Sequence, residues 1–432
     1  MSARDDALRI YAKAVEAVDP ARLIGTACRL EREVLEIRGV SYDLKRYRAI
    51  RLFGAGKAAW PMAEALEELL GGRIASGTVV VPKDLGTLRF TEVVKGSHPV
   101  PDEGSLEGAR KVMEGMASCG EDELVIFLLS GGSSALMEAP LGAITLEALQ
   151  DTTRKMLQCD MAIGTINTVR KHLSAVKGGR LGALCKAECA VLVVSDVIGD
   201  DLEVIGSAPM YRDRTSFADA KRLLEGAGIL GSLAPAVQRV IEAGCAGEIA
   251  ESPKTVSGRI RHFLIGSNRV ALEAAMREAE ALGYASEIVT EPLEGDADAK
   301  GALLVDAGRK LQAAGRSRCL LYGGETTVRV TGSGKGGRNQ QLCLRALEAL
   351  KADDGLTLLC AGTDGIDGNS DAAGAVVDAA SLEKAAGRSL SIGAYLANND
   401  ASTFFRQNGD LIVTGPSGTN VMDVAILISQ SR

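Results

Sequence analysis

Six short stretches of this sequence place charged or hydroxyl side chains among glycines. GAGKAA, Gly54 to Ala59, stands between an apolar run and an alanine-rich segment. There Gly56 lets a ligand approach the backbone, helix N-terminal amides favour an anion, and Lys57 adds a mobile positive charge. SGGSSALM, Ser130 to Met137, follows the apolar LVIFLL. The amides near Gly131 and Gly132, with the hydroxyls of Ser130, Ser133 and Ser134, suit an anion at the carboxyl end of a strand. NTVRKHLSAVKGGRL gathers Arg170, Lys171, His172, Lys177 and Arg180. Arg170 can make a bidentate pair with a carboxylate, and Lys171 adds to the same positive field. VVSDVIGDD brings Asp196, just after an apolar run, and Asp200 in a glycine-containing loop. Carboxylates at this spacing hold Mg²⁺ directly or through water, with helix capping and turn formation as their competing uses. GGETTVRVTGSGKGGRNQQ, Gly323 to Gln341, carries Glu325, Lys335, Gly336, Gly337, Arg338 and Asn339. Arg338 is suited to neutralise the oxygens of a phosphoryl group in transfer, the amides of Gly334–Gly337 to hold phosphates, and Glu325 to bind a metal or a hydroxyl. Asp364, in AGTDGIDGNSDAAG, ends another apolar run.

No familiar single motif explains these loops. Lys335 is followed by Gly336, where a Walker loop needs Ser or Thr, and GAGKAA lacks the last glycine of the dinucleotide fingerprint. SGGSS is not a hydrolase nucleophile elbow. Several anion-suited loops, basic neighbours and separate carboxylates together point to phosphoryl transfer, with ATP bringing phosphates and Mg²⁺. Each loop also has a plainer use, as a turn, a cap or a solvated basic face.

The elements that would position these residues alternate between short apolar runs and Ala/Leu/Glu-rich segments. RAIRLF, GTVVVP, TEVVKG, ELVIFLL and AECAVLVV read as strands, and SLEGARKVMEGMAS and TLEALQDTTRKMLQ as helices. Continuously apolar strands covered by helices argue for an α/β fold with a mostly parallel sheet. After Pro209 the pattern changes, and RHFLIGSNRVALEAAMREAEALG restarts a strand–turn–helix rhythm. RCLLYGGETTVRVTG reads as strand, turn, strand, and TLLCAGTDGIDGNSDAAGAVVD with DLIVTGPSGTNVMDVAILI as a late strand–loop–helix pair. A chain of 432 residues is long for one core. We therefore expect a larger domain over residues 1–250 and a second α/β domain over 251–432.

A formal net charge of −7 offers no footprint for nucleic acid. No apolar stretch reaches membrane-spanning length, and the amino terminus reads as an amphipathic helix rather than a signal peptide. Nine cysteines without a CxxC pair suit core filling in a reducing compartment, so a cytoplasmic protein is expected.

Taken in order, GAGKAA, GSHPVPDEGS, LLSGGSSALM, INTVRKHLSAVKGGRL, SDVIGDD, GGETTVRVTGSGKGGRNQQ, GTDGIDGNSDAAG and NNDASTFF…TGPSGTNVMD closely resemble the class II glycerate kinases, almost end to end. The C-terminal part of that family is called the MOFRL domain, and some members have carried the name hydroxypyruvate reductase. The resemblance implies a Rossmann-like larger domain, a second α/β (MOFRL) domain and an active site in the interdomain cleft. It implies transfer of the γ-phosphoryl of ATP to D-glycerate, giving 2-phosphoglycerate and ADP, with a divalent metal. Lys57 looks like the family's glycine-loop lysine and Arg338 like the arginine of its GGRNQ segment. With Asp196 they are the expected catalytic residues, and Asp196, Asp200 and Glu325 the expected metal ligands. Where this chain has Ser133 the family often has glycine, and Asn369–Ser370 replace a Gly-Pro-Thr pattern. Both changes keep small or polar loop residues. A homodimer is compatible with this reading. The alternatives are an NAD(P)H-dependent hydroxypyruvate reductase and a non-catalytic binder of phosphorylated metabolites.

Overall fold

The computed structural model describes residues 2–312 and 317–430. The chain divides into two compact units, one of Leu23–Ile265 and one of Met1–Arg22 with Gly266–Arg432.

In the unit Leu23–Ile265 the apolar runs become a six-stranded sheet. Its order is Glu92–Lys95, Ile74–Val81, Ala49–Ala55, Glu123–Leu129, Glu188–Val194 and Ile260–Gly266. The first five strands pair in parallel, as the continuous apolar runs predict. Glu123–Leu129 is buried along its whole length, so it shows no alternation of polar and apolar residues. Phe53, Val125, Phe127, Val193, Met116 and Leu136 meet in one core cluster, each worth about 2 kcal/mol in apolar surface removed from water. Met116 lies on the helix Glu103–Ser118, which starts at a capping box formed by Asp102 and Ser105. The helices Leu146–Gln158, Ile163–His172, Phe217–Gly226 and Pro235–Cys245 share a second core around Phe217 and Ile241. A three-stranded antiparallel sheet, Cys28–Glu31, Val34–Ile37 and Val40–Asp43, completes the unit. Because parallel strands end on one edge, the residues that follow Ala55, Leu129 and Val194 all emerge there.

The other unit is built on a mixed sheet. Its order is Ala285–Ile288, Arg318–Thr327, Asp423–Ser429, Leu356–Gly362, Gly374–Val377 and Leu411–Ile412, with Leu293–Asp296 also paired to Arg318–Thr327. The pairs made by Ala285–Ile288 and Leu293–Asp296 are parallel and the others antiparallel. Two readings from the sequence change here. Gly323 and Gly324 make no turn. They lie inside one strand, held extended by Val424 and Asp423 on one side and by Leu293 beside Gly324 on the other. The late segments are strand–loop–strand, because AGAVVD and DVAILIS, short and β-branched, pair with Leu356–Gly362 instead of coiling.

The helix Ala3–Ala17, capped by Ser2, packs on the helix Asn268–Ala281 of this unit. Tyr11 Oη donates to Gly362 O at 2.6 Å, and Arg4 pairs with Asp378 at 3.2 Å and with Asp410. Packing thus joins the amino terminus to the carboxyl-terminal unit, which a linear division at residue 250 does not anticipate. No helix among the described residues is long and apolar enough to cross a membrane.

Candidate active site

Each unit holds one cluster of the residues singled out above. In Leu23–Ile265 the loops GAGK and SGGSS interlock. Lys57 N–H donates to Gly131 O at 2.9 Å, Ser130 N–H to Ala55 O at 3.2 Å, and Ala58 N–H to Ser130 Oγ at 3.0 Å. Gly56 has φ +137°, and any Cβ there would overlap Ser130, so only glycine permits the lock. Gly132, at φ +85°, opens the short helix Ser133–Leu136. The N–H groups of Gly131 and Gly132 find no acceptor among the described residues. The Asp196 carboxylate lies against the Cα of Gly131, with no room for a side chain between them. Burial raises the Asp196 carboxyl above its ordinary value, and its own backbone N–H and the Lys57 charge hold that rise back. The Lys57 ammonium makes no hydrogen bond or ion pair among the described residues.

Arg170 joins this cluster from the helix Ile163–His172. Its Nη2 donates to Ser134 O at 3.1 Å. Burial lowers its affinity for a proton, and the charge of Glu138 opposes that. Ser134 Oγ pairs with Ser207 Oγ at 2.7 Å, while Ser133 Oγ is buried with no partner in the described residues. Lys171, on the same helix as Arg170, is spent elsewhere. Its ammonium is buried 3.4 Å from Asp213, which also accepts from Thr215 and Ser252. Lys177 is likewise paired internally, with Glu138, both side chains about 1% exposed. The dense basic segment is therefore two structural ion pairs, a histidine and an arginine bonded to backbone at Thr168 and Ala250, and one arginine at the cluster. Asp200 sits on the loop beyond Asp196 with φ +54°.

In the second unit Arg338 is the first residue of the helix Arg338–Ala349. Its guanidinium grips Asp423 at both oxygens, at 2.5 and 2.9 Å, and meets Glu325 at 2.7 Å. Burial disfavours its charge, but the bonds to Asp423 and the charges of Glu325 and Asp367 outweigh this and raise its proton affinity. Asp367 caps the same helix. It accepts from the backbone and side-chain N–H groups of Asn339 and Gln340 at 2.8–3.3 Å. Burial nevertheless lifts its carboxyl to about 6, with the Gln340 and Asn339 amides working against that. Asn339, buried, thus positions the helix start. Asp364 folds onto its own loop, accepting from Ile366 N–H at 3.2 Å. A cavity of about 470 Å³, lined by Glu325, Gly336, Gly337, Arg338 and Asn369, opens at this point.

The glycine loop before Arg338 is not a free row of amides. Gly332 N–H donates to Asn399 Oδ1 at 3.0 Å, Ser333 N–H to Asn398 Oδ1 at 3.1 Å and Gly334 N–H to Asn398 O at 3.0 Å. Lys335 N–H donates to Asp400 Oδ1 at 2.9 Å and Gly336 N–H to Asn369 Oδ1 at 2.8 Å. The amides of Gly334, Lys335 and Gly336, expected at the sequence level to hold phosphates, are thus engaged, and the loop presents Arg338 instead. The exposed Lys335 ammonium makes no ion pair among the described residues.

Asp423 and the 398–400 segment escaped the residue-by-residue reading, and Asp367, set behind Asp364 there as a residue that shapes its loop, does so by capping the Arg338 helix. Their signal lay in TGPSGTNVMD, GTDGIDGNSDAAG and NNDASTFF, whose acidic and amide residues serve Arg338 and its loop. Among the described residues no three His, Cys, Asp or Glu side chains gather to hold a metal ion. Asp196, Asp200 and Glu325 form no such cage, and Glu325 is paired with Arg338.

Comparison with known proteins gives the family. Residues 6–242 match the family described as Domain of unknown function (DUF4147), and residues 318–423 match the MOFRL family. The chain is 36% identical to a protein named Glycerate 2-kinase from Pyrococcus horikoshii, covering 100% of this chain and 98% of the relative. It is 38% identical to D-glycerate 2-kinase of Thermotoga maritima, covering 97% of each. The crystal structure of the Thermotoga maritima glycerate kinase superposes with a TM-score of 0.88 at 36% identity over 99% of each chain. From its amino terminus to its MOFRL region, the chain belongs to the glycerate 2-kinase family.

Proposed function

We propose that the protein is an ATP-dependent glycerate 2-kinase, converting D-glycerate and ATP to 2-phosphoglycerate and ADP. The observation that carries the reading is the end-to-end likeness to two glycerate 2-kinases, in a chain whose Lys57 stands beside unengaged amides and whose Arg338 is fixed by Asp423 at a cavity. In the reaction the C2 hydroxyl oxygen of glycerate bonds to the γ-phosphorus. The bond from that phosphorus to its bridging oxygen breaks, and ADP leaves with the electron pair. Lys57 and Arg338 neutralise the oxygens of the phosphoryl in flight. The Gly131 and Gly132 amides supply fixed donors for an oxyanion, and Arg170 receives the glycerate carboxylate. Asp196, with its raised carboxyl, suits the proton released by the hydroxyl or a Mg²⁺ ion that enters on the ATP phosphates. One carboxylate is enough for a metal that phosphates already hold.

Loss of Lys57 in one unit or of Arg338 in the other is expected to slow this reaction. The partners are small molecules. A cytoplasmic setting is supported by nine free cysteines, seven of them buried as core fillers.

The test is product analysis by phosphorus NMR with ATP, Mg²⁺ and D-glycerate. A 2-phosphoglycerate signal is expected. A 3-phosphoglycerate signal would keep the kinase and move the reacting hydroxyl. Active, folded protein giving no phosphorylated product, but oxidising NADH with hydroxypyruvate, would replace the reading with the reductase.

A further inference from the structure

The sheet that presents Lys57, the Gly131 turn and Asp196 presents one more side chain at the same edge. The segment after the edge strand Glu92–Lys95 does not return directly to its helix Glu103–Ser118. Gly96 N–H donates to Val81 O at 2.9 Å and Ser97 N–H to Ser105 Oγ at 3.1 Å. These bonds carry the chain past the ends of two neighbouring strands, so that His98 reaches the SGGSS turn. A Cβ built on Gly132 would stand 3.1 Å from His98 Cδ2, 3.6 Å from His98 Nε2 and 3.4 Å from Lys57 Cγ. The imidazole and the lysine stem therefore both stand against Gly132, whose amide has no acceptor among the described residues.

The other two histidines of the chain have structural work. His172 Nδ1 pairs with Thr168 O at 2.8 Å and its ring packs on Phe217. His262 Nε2 pairs with Met210 O at 3.1 Å and its ring packs on Tyr211. His98 makes no hydrogen bond and no ring contact among the described residues, and it is open to solvent on one side. Partial burial and the positive charges of Lys57 and Arg170 lower its proton affinity, so the ring is neutral near pH 7. A neutral imidazole adds a hydrogen-bond donor next to Lys57 without adding a third mutually repelling cation.

We propose that His98 is a substrate-contacting residue, donating through Nε2 to an oxyanion seated at Gly132 beside Lys57. The oxyanion is a phosphoryl or a carboxylate oxygen of a substrate, so the inference rests on the kinase reading for the identity of the ligand and on the geometry for the contact. A histidine in the motif GSHPVPDEGS, which the residue-level reading left without a role, then completes a ring of Lys57, His98 and the Gly131–Gly132 amides.

The test uses the full-length protein and the substitutions His98→Ala and His98→Gln, the latter because its amide nitrogen occupies the place of Nε2. His98→Ala is expected to lower kcat/KM about 30-fold, and His98→Gln to recover at least a third of the logarithmic loss, with melting temperature unchanged in both. A rise in KM for ATP identifies a phosphoryl oxygen, and a rise for D-glycerate identifies the carboxylate. Kinetics within twofold of wild type for His98→Ala, or equal losses in both variants, would overturn the contact. A readout independent of turnover separates this from the kinase assignment. The side-chain ¹⁵N resonance of His98, identified by its absence from His98→Gln, is followed while inorganic phosphate or D-glycerate is added. A saturable shift in a protein without kinase activity would keep the contact and reject the kinase. Kinase activity with no shift from either ligand would keep the kinase and reject the contact.

Discussion

Lys57 and Arg338 are the two cations on which a phosphoryl-transfer reading depends, and the two units hold them in opposite ways. Lys57 stands on interlocked glycine loops, and among the described residues its ammonium is unpaired and two amides beside it are unengaged. Arg338 is clamped by Asp423 and Glu325, and the amides of Gly332 through Gly336 in its loop are filled by Asn369, Asn398, Asn399 and Asp400. The chemistry of the two side chains explains the difference. A lysine ammonium is a compact charge on a flexible stem, useful where a moving phosphoryl group must be followed. A guanidinium is a rigid fork that keeps its charge while fixed by carboxylates, and so presents its remaining N–H groups in one orientation. One cluster is thus open to an anion, and the other is a preorganised wall whose cost in flexibility is met inside its own unit.

The sharpest break in that comparison is Lys57→Ala. Its kcat should fall about 10³-fold, on the order of 4 kcal/mol in the barrier, with the melting temperature within about 2 °C of wild type. A coupled ADP assay and calorimetry measure both, and retained turnover would remove Lys57 from the reaction. Arg338→Lys should cost about 10² in kcat and also about 2 kcal/mol of stability, since Asp423 is left buried with half of its fork missing. Loss of activity without loss of stability would contradict the clamp.

A smaller effect concerns the cap of the Arg338 helix. The Asp367 carboxyl is lifted to about 6, so the folded state favours its protonated form. Its stabilising contribution is full below the ordinary carboxylate value and is lost as pH rises through about 6, on the order of 3 kcal/mol. The stability advantage of wild type over Asp367→Asn should therefore shrink between about pH 4 and pH 6 and stay level above. Parallel melting curves across that range would show the carboxyl is not raised. Least affected should be Lys335→Ala, within about threefold of wild-type kcat/KM, because that side chain is exposed and its loop is tied by backbone bonds.

Local chemistry was the legible part of this molecule. Strands without alternation announced a parallel sheet, and the glycines of GAGK and SGGSS announced turns where backbone meets backbone. What misled was any inference that needed a neighbour from far along the chain. NTVRKHLSAVKGGRL looks like a positive patch until Asp213 and Glu138 are seen to consume Lys171 and Lys177. GSGKGG looks like a phosphate cradle until Asn398 and Asp400, more than sixty residues on, are seen to occupy it. The GG of Gly323–Gly324 looks like a turn until the partners on either side hold it straight.

By itself, then, the sequence determined the parallel strands of the first unit and the strand ends that carry Lys57, Gly131 and Asp196, though not its three-stranded antiparallel sheet. These follow from hydrophobic pattern and backbone sterics, which act over a few residues. Tertiary structure alone decided which cations remain available, which amides are already bonded, that the first helix packs with the carboxyl-terminal unit, and that His98 reaches Gly132. Those are outcomes of pairing between distant segments. A charge or an N–H group serves a ligand to the extent that its own chain leaves donors unclaimed.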